Sequence, residues 1–216
     1  MVTVGILAAQ GDFVAHQAAL SRLGVRPRLV RKPGDFSGID ALVLPGGEST
    51  AMLHAIDRDG LAGPLGAHLD ARRATFATCA GAILLARRVT GPSQRSFEAL
   101  DIDVERNSYG SQIDSFGAIV DDGGRFPRLE AIFIRAPRIL RVGKPVEVLA
   151  RVQGDPVLVR EGLCWAATFH PELGRDDRVL VAWLEGFVAS GSLHVPRIGP
   201  RAEVLPTANG ALTALA

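Results

Sequence analysis

The chain reads as an α/β protein: an open, mostly parallel three-layer sheet with helices on both faces and additional antiparallel strands. Three observations predict this. Over roughly the first 90 residues, short apolar runs alternate with helix-patterned stretches, the rhythm of parallel strands joined by helical crossovers. Beyond that point strand-like runs follow one another, punctuated by Gly and Pro, with no long helical pattern between them. The 216 residues are 47 % hydrophobic and 22 % charged, which suits one domain or one with a modest extension.

Val2 to Leu7 is an apolar run suited to a buried parallel strand, and Ala8-Ala9-Gln10-Gly11 is a turn. Asp12 caps a helix that runs to about Leu23 and stops at Gly24. Pro27 to Val30 is a second strand, followed by a loop carrying Pro33, Gly34 and Gly38. Ala41 to Leu44, apolar on both faces, is a third strand; it ends in Pro45-Gly46-Gly47-Glu48-Ser49-Thr50. A helix begins near Ser49, and another lies around Pro64 to Ala71. Ala74 to Thr78 is β-branched, aromatic and small, a buried strand; the Ala/Leu-rich stretch after Cys79 is a helix to about Arg87.

Leu100 to Val104, Phe116 to Val120, Ala131 to Ile134, Val146 to Val152, Val157 to Arg160 and Leu163 to Phe169 follow as strands. Most should be antiparallel, some extending the first sheet and some forming a side sheet. Val179, Leu180, Trp183, Leu184 and Phe187 repeat at helical spacing within Asp177 to Ala189, a helix that closes the domain. A single domain over 1–193 is expected. Pro196, Pro200 and Pro206 punctuate the remainder, 194–216, which reads as a loosely ordered tail.

Composition narrows the function. A net charge of +1 points to neither nucleic acid nor an acidic membrane surface. Of 24 basic residues 22 are Arg, but they are scattered and make no phosphate-binding patch. The two Cys, Cys79 and Cys164, form no zinc spacing and no disulfide framework. No run of about 18 apolar residues exists, and the first residues lead straight into a strand. A cytoplasmic protein with both thiols reduced is expected.

Three constellations can carry chemistry. Cys79 stands where a strand turns sharply into a helix, with small residues, Ala77 and Gly81, two before and two after it. That is the pattern of a nucleophile elbow. A thiol there faces the positive end of the helix dipole, which favours thiolate; an unperturbed Cys is only about 3 % ionised at pH 7. On the elbow alone, Cys79 reads equally as a nucleophile or as one more buried small residue. Pro45-Gly46-Gly47-Glu48-Ser49 lies at a strand's C-terminal end, where ligands bind open α/β sheets. It lacks the Gly-Lys-Ser/Thr ending of a P-loop, so it reads either as a tight turn or as a source of backbone donors for an oxyanion.

In Phe169-His170-Pro171-Glu172-Leu173, Pro171 drives His170 out of the helical region. An extended segment then points His170 and Glu172 the same way, a base with its orienting carboxylate, unless the His is merely structural. Glu105-Arg106-Asn107-Ser108-Tyr109-Gly110 and Ile134-Arg135-Ala136-Pro137 each offer an Arg at a strand end, able to clamp a carboxylate or simply to face solvent. His16, His54, His68 and His194 have no carboxylate or Cys at ligand spacing, and no chemistry is expected of them.

Pro-Gly-Gly-Glu-Ser, Thr-Cys-Ala-Gly, Glu-Arg-Asn-Ser, Phe-Ile-Arg-Ala-Pro and Phe-His-Pro-Glu-Leu, in this order and spacing, resemble the glutaminase subunits of the two-component pyridoxal 5′-phosphate synthases. These are class I glutamine amidotransferases with a flavodoxin-like sheet, and the likeness runs from residue 2 to about 190. The resemblance implies a catalytic Cys79, His170 and Glu172 and an oxyanion hole from the backbone N–H groups of Gly47 and Ala80. It implies L-glutamine held by Gly47, Glu48, Ser49, Arg106, Ile134 and Arg135, hydrolysis through a thioester, and no metal or cofactor. It also implies a partner, the pyridoxal 5′-phosphate synthase subunit, as a dodecameric core decorated by glutaminase subunits, and no nucleic acid or membrane. One departure is visible: the family usually carries Gly where this chain has Ala77. A glutaminase serving a different synthase, a cysteine hydrolase or peptidase on the same sheet, and a non-catalytic descendant stay open as alternatives.

Overall fold

Apolar runs too short for helices form the centre of the molecule. The computed structural model describes residues 1–106 and 115–189. In its first half, β1 (Thr3–Leu7), α1 (Phe13–Arg22), β2 (Arg26–Val30), β3 (Ala41–Leu44), α2 (Ser49–Arg58), α3 (Ala62–Asp70), β4 (Thr75–Thr78) and α4 (Ala80–Leu85) alternate as the pattern requires. Asp12 caps α1, its carboxylate accepting from Ala15 N–H at 3.1 Å, and Gly24 takes a φ of +75° just past the helix end.

The second half holds β5 (Ala86–Thr90), β6 (Leu100–Glu105), β7 (Ser115–Ile119), β8 (Glu130–Ile134), β9 (Arg138–Val142), β10 (Glu147–Val152), β11 (Asp155–Glu161), β12 (Cys164–Ala167) and α5 (Arg178–Phe187). Seven strands make one sheet in the order β10-β11-β12-β4-β3-β1-β2. From β12 to β2 every pairing is parallel; β11 and β10 extend the edge antiparallel. The strands β5, β6 and β9 form a side sheet, and β7 and β8 a two-stranded ribbon.

Two local expectations are corrected. The helix after Cys79 ends at Leu85, not near Arg87; Ala86 to Thr90 pairs parallel with β6. Helix-compatible Ala and Arg residues are recruited into a strand because Ala86 and Val89 find buried places there, a tertiary gain that overrides weak local propensity. The second concerns β9, which no strand signal announces: its Arg-Ile-Leu-Arg-Val sequence has no period-two alternation, and only Ile139 is buried. β12, one of the later strands read as mostly antiparallel, joins the antiparallel edge to the parallel sheet. It is antiparallel to β11 but parallel to β4, and its four residues are all buried, as a parallel strand covered on both faces requires.

Successive strand residues feed opposite cores. Phe76 packs with Trp183 of α5, ring centroids 5.4 Å apart, in the core that also takes Leu20 of α1 and Phe133 of β8. Ala77 faces the other way, toward Met52 and Ile56 of α2, Leu65 of α3 and Ile102 of β6. Because β1, β3, β4 and β12 are parallel, their C-terminal ends open at one edge of the sheet. The loops that leave that edge carry the motifs of Gly46, Cys79 and His170.

Candidate active site

Cys79 follows β4 with φ 48° and ψ −107°, in the left-handed half of backbone space that non-glycine residues avoid. The strain is held by the frame around it. Its N–H donates to the Ala167 carbonyl of β12 at 2.8 Å, and its carbonyl accepts from Ala82 at 3.0 Å and Ile83 at 3.3 Å. Gly81 allows α4 to lie against β3: a Cβ there would sit 2.3 Å from the Leu44 carbonyl oxygen. Ala77 is fully buried, its methyl absorbed in the second core.

His170 lies three residues beyond the end of β12 at Ala167, its N–H donating to the Ile132 carbonyl of β8 at 2.8 Å. Its backbone, φ −114° and ψ 82°, is non-helical as Pro171 demands. The segment is not extended beyond it, however: Pro171–Leu173 forms a 3₁₀ turn. The turn, rather than strand alternation, brings Glu172 Oε1 to 2.7 Å from His170 Nδ1. Gly46 fits between His170 and Cys79; a Cβ there would meet His170 Cε1 at 2.4 Å and Cys79 Cβ at 3.3 Å.

The electrostatics are those of a coupled buried pair. Burial opposes charge on His170, but hydrogen bonding to Cys79 and Glu172 and their charges outweigh it and raise the imidazole to about 10. Burial would likewise raise Glu172; His16 and His170 outweigh it and hold the carboxyl at about 2. In this resting arrangement Cys79 Sγ lies 3.7 Å from the Ile134 carbonyl, and His170 Nε2 is buried without a hydrogen-bond partner of good geometry among the described residues.

Gly47, Glu48, Ser49, Arg106, Ile134 and Arg135 line one open cleft together with Cys79 and His170. Glu48 caps α2, accepting from Thr50 N–H at 3.0 Å and Ala51 N–H at 2.6 Å. The Arg106 guanidinium donates to Glu48 at 3.0 Å and to Thr50 Oγ1 at 3.0 Å. Burial works against it, but these helix N–H groups and Arg106 hold the Glu48 carboxyl below the usual range. Arg106 thus already neutralises a carboxylate of the protein beside the cleft. Asn107 to Gly110, the rest of that motif, lie outside the described residues. Arg135 has a φ of 41°, a second strained position on the cleft wall.

Three residues of the site carry no motif in the sequence. Gln10 accepts from Glu48 N–H at 3.1 Å, and Gln94 accepts from Ser49 Oγ at 2.9 Å. The third is His16, whose Nε2 is 3.3 Å from Glu172 Oε1. Nothing in linear spacing joins these pairs. The available signals are that Gln10 follows the first strand and so lies at the same sheet edge as the Gly46 loop, and that His16 shares the buried α1 face with Ala19 and Leu20, an odd place for an imidazole.

Residues 6–189 match the SNO glutamine amidotransferase family. The chain is 49 % identical over 185 residues to the pyridoxal 5′-phosphate synthase subunit PdxT of Solibacter usitatus, covering 83 % of this chain and 96 % of that one. It is 46 % identical over 184 residues to the protein of the same name from Thermotoga maritima, covering 84 % and 97 %. A crystal structure of a glutamine amidotransferase superposes with a TM-score of 0.80 at 42 % identity, over 86 % of this chain and 98 % of that one. Sequence match, fold and the Cys-bearing elbow agree, and the chain belongs to the SNO glutamine amidotransferase family.

Proposed function

We propose that the chain hydrolyses L-glutamine to L-glutamate and ammonia, and that it hands the ammonia to a pyridoxal 5′-phosphate synthase subunit. One observation carries the chemistry. A strained cysteine at the start of a helix shares a cleft with an imidazole whose other nitrogen is bound to a buried carboxylate. The relatives named as pyridoxal 5′-phosphate synthase subunits support the destination of the ammonia. The notion of a dodecameric synthase core carrying such subunits rests on the family resemblance alone. A cytoplasmic location fits the absence, among the described residues, of any helix long and apolar enough to cross a membrane.

Glutamine binds with its side-chain amide at Cys79 and its α-amino and α-carboxylate groups among Gly47, Glu48, Ser49, Arg106, Ile134 and Arg135. Cys79 Sγ, as thiolate, attacks the amide carbon. Charge gathers on the amide oxygen, where the N–H groups of Gly47 and Ala80 receive it; the first N–H groups of a helix have no partner within the helix. His170 gives the proton on Nε2 to the leaving nitrogen, the C–N bond breaks, and ammonia departs from a thioester. Water then gives a proton to Nε2 and attacks the same carbon; glutamate leaves and the thiolate is restored. Glu172 stabilises the imidazolium each time it forms.

Cys79→Ala tests this directly. The variant should fold, bind glutamine, and lose glutamate production by several orders of magnitude. Calorimetric binding alongside an ammonia assay separates the two effects. Full glutaminase activity in the variant would sink the mechanism, and release of amino acids from peptides by the native chain would favour a peptidase instead.

A further inference from the structure

Glu172 is buried, and both of its neighbours that can carry charge are imidazoles: His170 on its own segment and His16 on α1. Every donor converges on one oxygen. His170 Nδ1 lies 2.7 Å from Oε1, His16 Nε2 3.3 Å, and Thr78 Oγ1 3.5 Å, while Oε2 is buried with no partner among the described residues. His16 is itself fully buried, and its Nε2 is also 3.0 Å from Thr78 Oγ1. Its Nδ1 has no partner among the described residues. A buried N–H without an acceptor costs more than a lone pair without a donor, so Nε2 is the nitrogen that carries the proton toward Glu172.

A core position could be filled by Leu at no desolvation cost, so the imidazole calls for an explanation. The glutaminase cycle supplies one, and the role of His16 rests on the glutaminase function proposed for the site. When His170 gives its proton to the leaving nitrogen, it becomes neutral. Glu172 is then a buried anion whose nearest counter-charge has gone. Without other donors it would take up a proton or turn away, and would not be in place when water protonates His170 again.

We propose that His16 is a positioning residue of the glutaminase site: with Thr78 it holds the Glu172 carboxylate aimed at His170 Nδ1 through the half of the cycle in which His170 is neutral. Thr78 is the residue before Cys79, and α1 is capped by Asp12, whose N–H binds the Gly46 carbonyl at 3.1 Å. The same helix therefore touches both the carboxylate end of the triad and the oxyanion loop.

His16→Leu removes the donor and keeps the bulk. His16→Gln places an amide N–H near the position of Nε2. In the full-length chain with its synthase, His16→Leu should lower kcat about 10- to 100-fold with KM within about twofold. The acidic limb of kcat against pH should move up by about one unit, and His16→Gln should restore most of both. If His16→Leu does not fold, His16→Asn takes its place, because its shorter amide cannot reach Glu172. The His170 Nδ1–H proton resonance in the purified chain is read in parallel and needs no turnover; its low-field position should be lost in His16→Leu and kept in His16→Gln. An unchanged rate, limb and resonance in His16→Leu overturn the proposal. So does a His16→Gln variant as impaired as His16→Leu, which would make the residue a space-filler. If the native complex releases no ammonia, the glutaminase reading fails, and the resonance alone still decides whether His16 positions Glu172.

Discussion

At the residue scale, the site depends on a charge kept where burial disfavours it. Glu172 is 3 % exposed, yet two imidazoles hold its carboxyl down. Its counterpart His170 is held protonated by Cys79 and Glu172 against the same burial. Replacing Glu172 by Gln keeps a hydrogen-bonding group of the same shape and removes the charge. The imidazolium then loses its stabiliser, while the cleft residues proposed to hold glutamine are untouched. Glu172→Gln should cost about 10²–10⁴ in kcat with KM changed by less than about threefold. Steady-state glutamate production checks it. A large rise in KM with kcat unchanged would make Glu172 a binding residue.

At the scale of elements, the loop between β3 and α2 is pinned by few bonds. The Gly46 carbonyl accepts from Asp12 N–H at 3.1 Å, and Glu48 N–H donates to Gln10 at 3.1 Å. The contact is close enough that a Cβ on Gly11, whose φ is +105°, would lie 2.0 Å from the Gly46 oxygen. Each such bond contributes roughly 0.5–1.5 kcal/mol, so a docked partner can reselect the peptide orientation at this loop. A missing oxyanion donor costs about 10²–10³ in rate. The isolated chain is therefore expected to be a poor glutaminase, with saturating synthase raising kcat more than it lowers KM. Equal kcat with and without the synthase would mean the hole is already formed.

At the scale of the molecule, buried histidines set opposite pH limits. His68 packs against Phe36 and meets Thr75 Oγ1 at 3.2 Å; burial first, then Arg73, lowers it from 6.5 to about 4. Its neutral form is favoured by the fold, so stability is intact above about pH 6.5 and falls as pH drops toward 4. His170 is raised from 6.5 to about 10, so its contribution is full below pH 6.5 and is lost as pH rises toward 10. Glu172, lowered from 4.5 to about 2, adds a loss that begins only below pH 4.5. The thermal midpoint should peak near pH 6.5. His68→Leu should abolish the decline between pH 6.5 and 4.5, worth on the order of 2 kcal/mol, while leaving the Glu172 loss below pH 4.5 and the alkaline limb in place. An acid limb identical in the variant would show that His68 is not the group responsible. Beyond the family match, which ends at residue 189, the stretch 197–216 holds no aromatic residue. Its removal should leave thermal midpoint and partner-stimulated activity within error of the full chain; a clear fall in either would show that it docks.

Local chemistry makes much of this protein legible without coordinates. Buried strands such as Ala41–Leu44, the Asp12 cap, the Gly24 stop and the strand-to-helix junction at Cys79 depend on neighbours a few residues away, and the alternation of strand and helix implies a parallel sheet. The motifs carrying Cys79, His170 and Glu172 are readable for the same reason, since each is continuous in the chain. The fold alone decides what depends on pairing across long separations. Ala86–Thr90 becomes a strand because β6 lies beside it, and β12 runs parallel to β4 because the sheet order inserts it there. Glu172 reaches His170 through a 3₁₀ turn that no period-two pattern describes. His16 meets Glu172 across 156 positions of chain (172 − 16), a contact that local spacing cannot encode and that packing α1 against the turn creates.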